Sequence, residues 1–511
     1  MPADQNHCDL LIVGSGIMGA CTARLVRDAR PTARILMLDA GPVLGPVPGQ
    51  HLHDMPDGEM RLRYNERVSS GVQGFYAGAT DVAADMGSQI AELDPGMYQL
   101  SSFGEECSAM PSAALAWNAG GMGIHWTAAT PAAWGSEIPD FIDSHEWAQD
   151  MATASAVLHV NPDPLGAGAL RTSLISALND VFGEQSAPGR EVKPLPMAIN
   201  PDGEGGLIRS GPNRIFPPIA SGDDPHFELR TSAQAVRLLH EARTVHGAVV
   251  RDVTSGEEYT VTAAATIVCA DAFRTPQLLF ASGIRPAALG RHLNEHIFQS
   301  GRVRVDLAAI GLDETMLAQE RAEQQAGERL NTSYWLPHSD EPQPFNGQFT
   351  GSVQFAADGD IVDCSAGIAL YVPTEIQASN RVEFSETELD AAGMPKMTIS
   401  FDYTDEDRRL LKQAQQEQER VGRRLGRFDP ETDSAALPPG TSLHMTGTVR
   451  MGAHNDGTSV CDPDARVWDH TNLYLAGCGV VPTALVGNST LTGVVTAVRA
   501  ARAVVEDLSV G

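Results

Sequence analysis

The chain has 511 residues, which is long enough for two or three domains with a large buried core. Its composition, 42% hydrophobic and 20% charged, is that of an ordinary globular protein. A net charge of −29 argues against nucleic acid or an anionic membrane surface as the main partner, and no apolar run is long enough to predict a membrane-spanning helix.

The N-terminal residues and the cysteines point to a reducing compartment. The opening stretch, "MPADQNHCDLLIVGSG", has no basic segment before its apolar residues, so no secretory signal peptide is predicted. The seven cysteines are odd in number and scattered, which favours reduced thiols over disulfides or a structural zinc site. We therefore expect a cytoplasmic protein.

The first predicted elements form a nucleotide-binding unit. Residues 9–13 are an apolar strand, and the following turn completes the pattern G-x-G-x-x-G with Gly14, Gly16 and Gly19. A helix is predicted from about Ile17 to Arg30, and a second strand, "RILMLDA", runs to Asp39. In such a unit the glycines let the backbone approach a pyrophosphate, the helix N-terminus supplies positive potential, and an acid about 20 residues further on accepts from a ribose hydroxyl. The pattern predicts dinucleotide binding.

The remainder of the nucleotide-binding sheet is predicted far along the chain. Residues 41–116 are rich in glycine, proline and serine and are expected to be mostly loop. Strand–turn–helix patterns return only at 266–283 and at 472–508, where a long helix is predicted from about Ser489. A nucleotide domain interrupted in this way favours FAD over a nicotinamide cofactor, because FAD is long enough to contact distant segments.

The intervening sequence predicts a second domain that covers the flavin. A loop or lid segment is expected at 51–109, and the FAD-binding domain is expected at 1–50, 110–150, 227–300 and 436–511. The substrate domain is expected at 151–226 and 301–435. It contains the alternating strands "RVEFSE" and "MTISFDY" and a very polar helix, "DEDRRLLKQAQQEQERVGRRLG", which is expected to present a solvated face.

Five segments carry a resemblance to a known family. Besides the N-terminal glycine pattern they are "GGMGIHWTAATP", "LNEHIFQSG", "SLHMTGTVRMG" and "NLYLAGCGVVPTALVGNSTLTG". In this order they resemble the glucose–methanol–choline (GMC) flavoprotein oxidoreductases, and most of all the pyranose oxidases and the shorter bacterial enzymes that oxidise glycosides and C-glycosides at C3. The resemblance implies a mixed α/β and α+β fold, with an interrupted Rossmann-like FAD-binding domain and a β-sheet substrate domain. Two departures are "GIHWTA" in place of S-T-H-W-T-C, and a serine rather than a proline after Asn488.

The resemblance makes His444 and Asn488 the catalytic pair. His444 has no carboxylate or second histidine beside it in the sequence, and a lone histidine of this kind is more often a core residue. In the family, however, the matching histidine pairs with an asparagine of the C-terminal segment. A neutral imidazole can accept the hydroxyl proton of a secondary alcohol while a hydride leaves the same carbon for flavin N5, and the amide can hold the hydroxyl oxygen. A nearby carboxylate would raise the imidazole pKa and favour the protonated form, which cannot act as a base.

The same resemblance assigns residues around the flavin. In pyranose oxidases the histidine that matches His125 is covalently bonded to the flavin, but its neighbours differ here, so covalent and non-covalent FAD both stay open. Thr127 matches a hydroxyl near flavin N5 that steadies the reduced flavin or the substrate. The predicted FAD-binding residues are Gly14, Gly16, Gly19, Asp39, Asn118, Gly120, Gly121, Met122, His125, Trp126, Thr127, Ala235, Val236, Gly477, Cys478, Ser489 and Thr490.

Substrate residues are expected from a looser similarity. Some polar side chains fall where pyranose oxidases hydrogen-bond sugar hydroxyls, and such groups replace the water that a hydroxyl-rich ligand loses. The predicted substrate-binding residues are Thr127, Gln354, Asp358, Arg381, His444 and Asn488. Two histidine pairs have no third ligand nearby in the sequence, so no metal site is expected at either His51 and His53 or His292 and His296.

The expected function is FAD-dependent oxidation, at C2 or C3, of a pyranose sugar or glycoside, with O2 as the electron acceptor. Three alternatives stay open: a dehydrogenase that uses a quinone-type acceptor, a GMC-fold lyase without redox chemistry, and a non-catalytic flavin-binding protein. The short form of the chain favours C3 oxidation of a glycoside. The chain also lacks the extensions that help pyranose oxidases form tetramers, which favours a monomer.

Overall fold

The computed structural model describes residues 6–59, 61–62, 90–204, 206–325 and 332–510. Part of the predicted loop or lid segment therefore lies outside the described residues. Within the ranges given, no helix combines the length and the apolar character that crossing a bilayer requires.

The strands of the described chain are mostly short and are distributed over several sheets. They are β1 (His7–Val13), β2 (Ile35–Leu38), β3 (Gly96–Gln99), β4 (Ala114–Trp117), β5 (Lys193–Pro194), β6 (Ile199–Pro201), β7 (Leu207–Arg209), β8 (Phe227–Arg230), β9 (Ala233–Glu241), β10 (Thr244–Asp252), β11 (Glu258–Val268), β12 (Ile297–Val305), β13 (Thr332–Leu336), β14 (Asn346–Phe355), β15 (Ile361–Val372), β16 (Arg381–Leu389), β17 (Pro395–Ser400), β18 (Gly426–Arg427), β19 (Ser434–Ala436) and β20 (Leu473–Leu475).

The helices lie between the strands and include several short turns. The α-helices are α1 (Ile17–Ala29), α2 (Ser144–Val157), α3 (Ala169–Phe182), α4 (Pro212–Ile215), α5 (Pro218–Ser221), α6 (Asp271–Ala281), α7 (Ala318–Gln325), α8 (Asp405–Leu425) and α9 (Thr490–Val510). The 3₁₀ turns are Leu52–Asp54, Ile90–Glu92, Leu100–Phe103, Gly121–Ile124, Gly135–Glu137, Glu314–Leu317 and Cys478–Val480.

The first sheet contains the predicted nucleotide-binding unit. Its strand order is β8-β2-β1-β11-β10-β9, with β20 beside β11. β8, β2, β1, β11 and β20 pair in parallel, whereas β9, β10 and β11 pair antiparallel. Leu10, Leu11 and Ile12 of β1 are fully buried, as expected for a parallel strand with helices on its faces. The predicted strands at 9–13 and before Asp39 and the long helix near Ser489 are confirmed, and the helix predicted to reach Arg30 ends at Ala29.

The second sheet is antiparallel and forms the other half of the fold. Its order is β18-β12-β15-β14-β13-β5, with β19 beside β12. α3 and α8 pack on it through a buried cluster that includes Leu174, Phe349 and Ile368. α8 is the very polar helix of the sequence, and its buried residues Ala414, Gln418, Val421 and Leu425 form a stripe at helical spacing. The expected solvated face is therefore present, but the opposite face of the helix completes a core.

The strands "RVEFSE" and "MTISFDY" form a hairpin of their own. β16 and β17 pair only with each other, apart from isolated bridges, among the described strands. Val382 and Met397 of this hairpin share a buried cluster with Phe273 of α6. The hairpin thus packs beside the first sheet, and the domain boundaries drawn from the sequence stay a prediction.

Candidate active site

A cavity opens at the edge of the first sheet where the parallel strands end. The residues that directly follow β1, β2, β11 and β20 line it, namely Gly14, Asp39, Cys269 and Ala476. This edge is where open α/β sheets bind their ligands. Eleven of the predicted FAD-binding residues line the cavity: Gly14, Gly16, Asp39, Gly121, Met122, Trp126, Ala235, Gly477, Cys478, Ser489 and Thr490.

The glycines of the first turn shape one wall of this cavity. Gly14 has φ of +108°, and a Cβ there would lie 2.5 Å from the carbonyl oxygen of Cys269. A Cβ at Gly19 would lie 2.0 Å from the carbonyl oxygen of Gly14, so α1 can approach the turn closely only with glycine. At Gly16, by contrast, the one atom of the described residues within 4 Å of a Cβ is the Gly120 oxygen at 3.7 Å, so the space in front of Gly16 belongs to the cavity. Since α1 begins directly after Gly16, this wall fits a pyrophosphate.

Asp39 connects the first turn to the cavity. Its carboxylate accepts from Ser15 Oγ at 2.6 Å, from Ser15 N at 3.1 Å and from Gly41 N at 2.9 Å. Burial raises the pKa of Asp39 to about 6, even though these hydrogen bonds lower it. Ser15 Oγ in turn accepts from Gly120 N at 2.8 Å. Asp39 therefore holds two cavity loops together, and the remaining lone pairs of its oxygens can accept from a ribose hydroxyl.

The His125 ring is held from behind by Asn118. The Asn118 amide donates to the carbonyls of Ala119 and Gly121, both at 3.2 Å, which directs its Oδ1 to His125 Nε2 at 2.9 Å. His125 Nε2 is therefore the donor, and its buried Nδ1 has no hydrogen-bond partner among the described residues. Burial lowers the pKa of His125 to about 4, so the ring is neutral. Gly123 and Trp126 line the cavity, whereas His125 does not.

Six predicted FAD-binding residues do not line the cavity: Gly19, Asn118, Gly120, His125, Thr127 and Val236. The sequence analysis in turn missed Arg274, which does line the cavity. Its Nη1 contacts Glu105 at 2.9 Å and Asp390 at 2.6 Å. The strand–turn–helix pattern at 266–283 could have indicated it, because the first turn of that helix follows a strand end at the same sheet edge.

His444 and Asn488 meet at the margin of the cavity. Asn488 Nδ2 lies 3.1 Å from His444 Nε2. Leu443 and Met445, which flank the histidine, and Ser489, which follows the asparagine, all line the cavity. The structure thus brings together the two side chains that the sequence analysis named as a pair.

The fold gives His444 neighbours that its sequence position does not show. His296 Nε2 lies 2.9 Å from His444 Nδ1, and His296 Nδ1 lies 3.1 Å from the carbonyl oxygen of Leu485. Burial lowers the pKa of His296 to about 4. Burial and the neighbouring His296 lower the pKa of His444 well below its ordinary value of 6.5. Both rings are therefore neutral at neutral pH, and His444 is not a lone histidine.

Two buried carboxylates lie beneath the loops that carry the pair. Glu295 accepts from Gly440 N and from Ser442 Oγ, and burial raises the pKa of its carboxyl to about 7. Glu137 accepts from Val486 N at 2.7 Å and Gly487 N at 3.3 Å. These carboxylates bind backbone donors of the two loops and fix the positions of His444 and Asn488.

Gln348 is a polar contact of the pair that the sequence analysis missed. Gln348 Nε2 donates to Asn488 Oδ1, and the Tyr371 hydroxyl donates to Gln348 Oε1 at 3.3 Å. Gln348 lies on β14, the same strand as the predicted Gln354, and both side chains point to the same face because the residues are an even number of positions apart. The alternation of β14 could have indicated Gln348 as well as Gln354.

The predicted sugar-binding side chains lie away from the pair. Gln354 is exposed about 20 Å further along β14 at roughly 3.4 Å per residue, and Asp358 is exposed in the turn that follows. Arg381 begins β16 and contacts Glu383 at 2.9 Å. Thr127 is exposed beside Trp126. None of these four contacts His444 or Asn488 among the described hydrogen bonds, and their assignment as substrate ligands stays a prediction.

The arrangement can support proton removal next to a large ligand. A neutral imidazole and a neutral amide can share one hydroxyl group, with the imidazole as acceptor and the amide as donor. The adjacent cavity combines a pyrophosphate wall with an acid suited to a ribose. In the described part of the chain, no group of three or more His, Cys, Asp or Glu side chains could hold a metal ion.

Comparisons with known proteins find relatives that match nearly the whole chain. The family model described as GMC oxidoreductase matches residues 216–298 and 377–497. The chain is 35% identical to a C-glycoside 3-oxidase of Microbacterium trichothecenolyticum, over 98% of this chain and 97% of the relative. It is 36% identical to a C-glycoside 3-oxidase of Arthrobacter globiformis over 98% and 95%, and 25% identical to a pyranose 2-oxidase of Tricholoma matsutake over 99% and 95%. The crystal structure of a pyridoxine 4-oxidase from Mesorbium loti matches with a TM-score of 0.62 and 16% identity, over 97% of this chain and 98% of that one.

Proposed function

Because this chain belongs to the GMC oxidoreductase family, we propose that it is an FAD-dependent oxidase of a secondary ring hydroxyl of a pyranose or glycoside. The single observation that carries the proposal is the contact of His444 with Asn488 at the margin of the nucleotide cavity. The predicted family and mixed α/β fold are confirmed by the comparisons. FAD is the expected cofactor, since GMC oxidoreductases are flavoproteins.

His444 and Asn488 have different roles toward the alcohol that is oxidised. The substrate hydroxyl replaces Asn488 Nδ2 as the donor to His444 Nε2, which takes the hydroxyl proton. Asn488 Nδ2 then donates to the hydroxyl oxygen and holds the carbon in place. FAD, when bound, supplies the acceptor for the hydride that leaves the same carbon. The burial of His444 serves this step because it keeps the imidazole neutral.

Different residues of the cavity would hold different parts of FAD. Gly14, Gly16 and the N-terminus of α1 take the pyrophosphate, and Asp39 takes the ribose. Ala235, which lines the cavity, would offer main-chain atoms to the adenine half, as the resemblance implies; Val236, predicted for the same role, does not line the cavity. Gly477 and Cys478, which also line the cavity, would hold the ribityl chain or the flavin ring.

We expect the FAD of this protein to be non-covalent. His125 Nε2 is occupied by its hydrogen bond to Asn118, and the ring does not line the cavity. Acid precipitation of the holoprotein should therefore leave the yellow colour in the supernatant. A yellow pellet that becomes colourless in the variant His125→Ala would show a covalent bond at this residue instead.

C3 of a glycoside, including C-glycosides, is the proposed site of oxidation, with C2 of a free pyranose as the second candidate. The support is the sequence identity, which is 35% and 36% to two C-glycoside 3-oxidases but 25% to a pyranose 2-oxidase, in each case over nearly the full length. We propose O2 as the electron acceptor, with a quinone-type acceptor as the alternative. We also propose that the enzyme is a monomer in the cytoplasm.

A substrate panel tests the activity directly. Free sugars, O-glycosides and C-glycosides are mixed with the holoprotein without oxygen, and bleaching of the flavin is recorded. We expect glycosides to bleach it and readmitted O2 to restore the colour with release of peroxide. Bleaching without reoxidation by O2 would favour the dehydrogenase, and a flavin that no sugar bleaches would favour a lyase or a non-catalytic protein.

The buried histidine predicts a flat pH profile on the acid side. Because the pKa of His444 is well below 6.5, its neutral form is fully present above that value and is lost only at lower pH. The rate of flavin reduction should therefore stay constant from about pH 8 down to 6.5, where an ordinary histidine would be half protonated. Stopped-flow reduction at saturating substrate measures this.

The variant Glu295→Gln serves as the control for that profile, because the pKa of Glu295 is about 7 and this carboxyl lies beneath the same loop. A step near pH 7 that disappears in Glu295→Gln belongs to Glu295. A decline that persists in this variant would show that His444 itself is protonated near neutrality.

A further inference from the structure

A continuous chain of hydrogen bonds runs through the candidate active site. It links one backbone carbonyl to five side chains that come from distant parts of the sequence. Its members, in spatial order, are Leu485, His296, His444, Asn488, Gln348 and Tyr371. We call this set the polarised chain.

The direction of the polarised chain is fixed at the Leu485 end. A backbone carbonyl can only accept, so the contact at 3.1 Å requires a proton on His296 Nδ1. His296 is 2% exposed and carries no second proton, because burial lowers its pKa to about 4. Its Nε2 is therefore a bare acceptor.

The bare Nε2 of His296 determines which nitrogen of His444 carries the proton. His296 Nε2 lies 2.9 Å from His444 Nδ1 and can only accept, so His444 must carry its proton on Nδ1. A neutral imidazole has one proton, and His444 Nε2 is left with a free lone pair. That nitrogen faces Asn488 at the cavity margin.

The other half of the chain agrees with this direction. Asn488 Nδ2 donates to His444 Nε2 at 3.1 Å, which turns Asn488 Oδ1 to accept from Gln348 Nε2. Gln348 Oε1 then accepts from the Tyr371 hydroxyl at 3.3 Å. Every member has one consistent assignment of donor and acceptor, so the amide orientations need no separate assumption.

We propose that His296 is a positioning residue, which holds His444 in the tautomer with its proton on Nδ1 and thereby makes Nε2 the base. Leu485 anchors this assignment through its backbone carbonyl. The opposite tautomer would place a proton on Nε2, where it would meet the Asn488 amide donor and could not accept from a substrate hydroxyl. The inference rests on the proposed function for its kinetic consequence, but the tautomer itself is a property of the oxidised holoprotein alone.

The tautomer is measured by ¹⁵N NMR of holoprotein labelled at histidine. The His444 signals are those missing from His444→Gln, and the His296 signals are those missing from His296→Gln. We expect both rings to be neutral, with a protonated Nδ1 and a bare Nε2. A proton on Nε2 of His444 would overturn the proposal, whatever the enzyme's substrate turns out to be.

Two replacements of His296 test the kinetic consequence. His296→Leu removes the acceptor, and we expect flavin reduction to slow by about 100-fold, the upper range for loss of a partner that orients a functional imidazole. His296→Gln places a carbonyl oxygen about as far from the backbone as the imidazole Nε2, so it should restore most of the rate. Flavin content, read from absorbance, shows whether each variant still folds around its cofactor.

The control is His292→Asn on the same segment, since asparagine tolerates the φ of 62° at that position. In this variant the substrate should reduce the flavin at the wild-type rate. Wild-type rates in His296→Leu, with substrate bleaching intact, would overturn the positioning role and leave the proposed function standing. If no sugar or glycoside bleaches the flavin of the wild-type protein, the proposed function is rejected. The NMR experiment would still show which nitrogen of His444 carries the proton.

Discussion

His444→Ala should retain FAD and lose its reduction by substrate. General-base catalysis contributes roughly 10²–10⁴-fold, and the variant has no other imidazole at the reacting hydroxyl. His296 Nε2 is also a bare acceptor, but it lies behind the vacated ring, 2.9 Å from the position of His444 Nδ1, and does not directly reach a hydroxyl held at the position of His444 Nε2. Anaerobic stopped-flow mixing of the variant with the best glycoside of the panel measures the rate.

The matched control for this variant is His454→Ala. His454 follows on the same segment but is exposed and does not line the cavity. It should keep both its flavin and its rate. Near-normal reduction in His444→Ala would remove His444 from the mechanism.

Gly16→Val should yield a folded protein that binds FAD more weakly. Gly16 has φ of −66° and ψ of −169°, which valine adopts without strain. Among the described residues the Cβ would have only the Gly120 oxygen within 4 Å, at 3.7 Å, and since Gly16 lines the cavity the valine methyl groups would take up space in it. Overpacking of this kind costs about 1–3 kcal/mol, so FAD affinity should fall roughly 5- to 150-fold.

Flavin absorbance per protein, followed during titration of the apoprotein with FAD, measures that loss. Circular dichroism confirms the fold independently. Gly58→Val is the control, because a Cβ at Gly58 meets only the flexible end of Arg61 at 3.7 Å and the site is exposed. If Gly16→Val binds FAD as tightly as wild type, the pyrophosphate does not lie against this turn.

The nucleotide-binding half of the site could be predicted because its signals are local. Gly14, Gly16, Gly19 and Asp39 are spaced by the geometry of one strand, one turn and one helix, and this spacing is visible in the sequence. The structure places the strand ends and the cavity where that spacing predicted them. The distal FAD segments were predicted for the same reason, since each repeats a strand–turn–helix pattern.

The polar contacts of the reacting end were harder to predict. Gln354 and Gln348 are both glutamines of one strand with side chains on one face, and the sequence alone could not decide which lies beside Asn488. That choice depends on where β14 stops and on its register against β15, which pairs Gln348 with Ala369 and Gln354 with Asp363. A shift along a strand moves a side chain by about 3.4 Å per residue, so an approximate alignment misplaces it entirely.

The sequence by itself determined the mixed α/β fold and indicated FAD as the cofactor, because motif spacing and hydrophobic periodicity are properties of neighbouring residues. The pairing of His444 with Asn488, 44 residues further along, was implied by the resemblance to the GMC oxidoreductases. Only the tertiary structure decided that His296, 148 residues from His444, lies against its ring. It also decided that the carbonyl of Leu485 orients both imidazoles. Contacts of this kind depend on how loops from separate segments pack, and a backbone carbonyl, which every residue has, leaves no mark in the sequence.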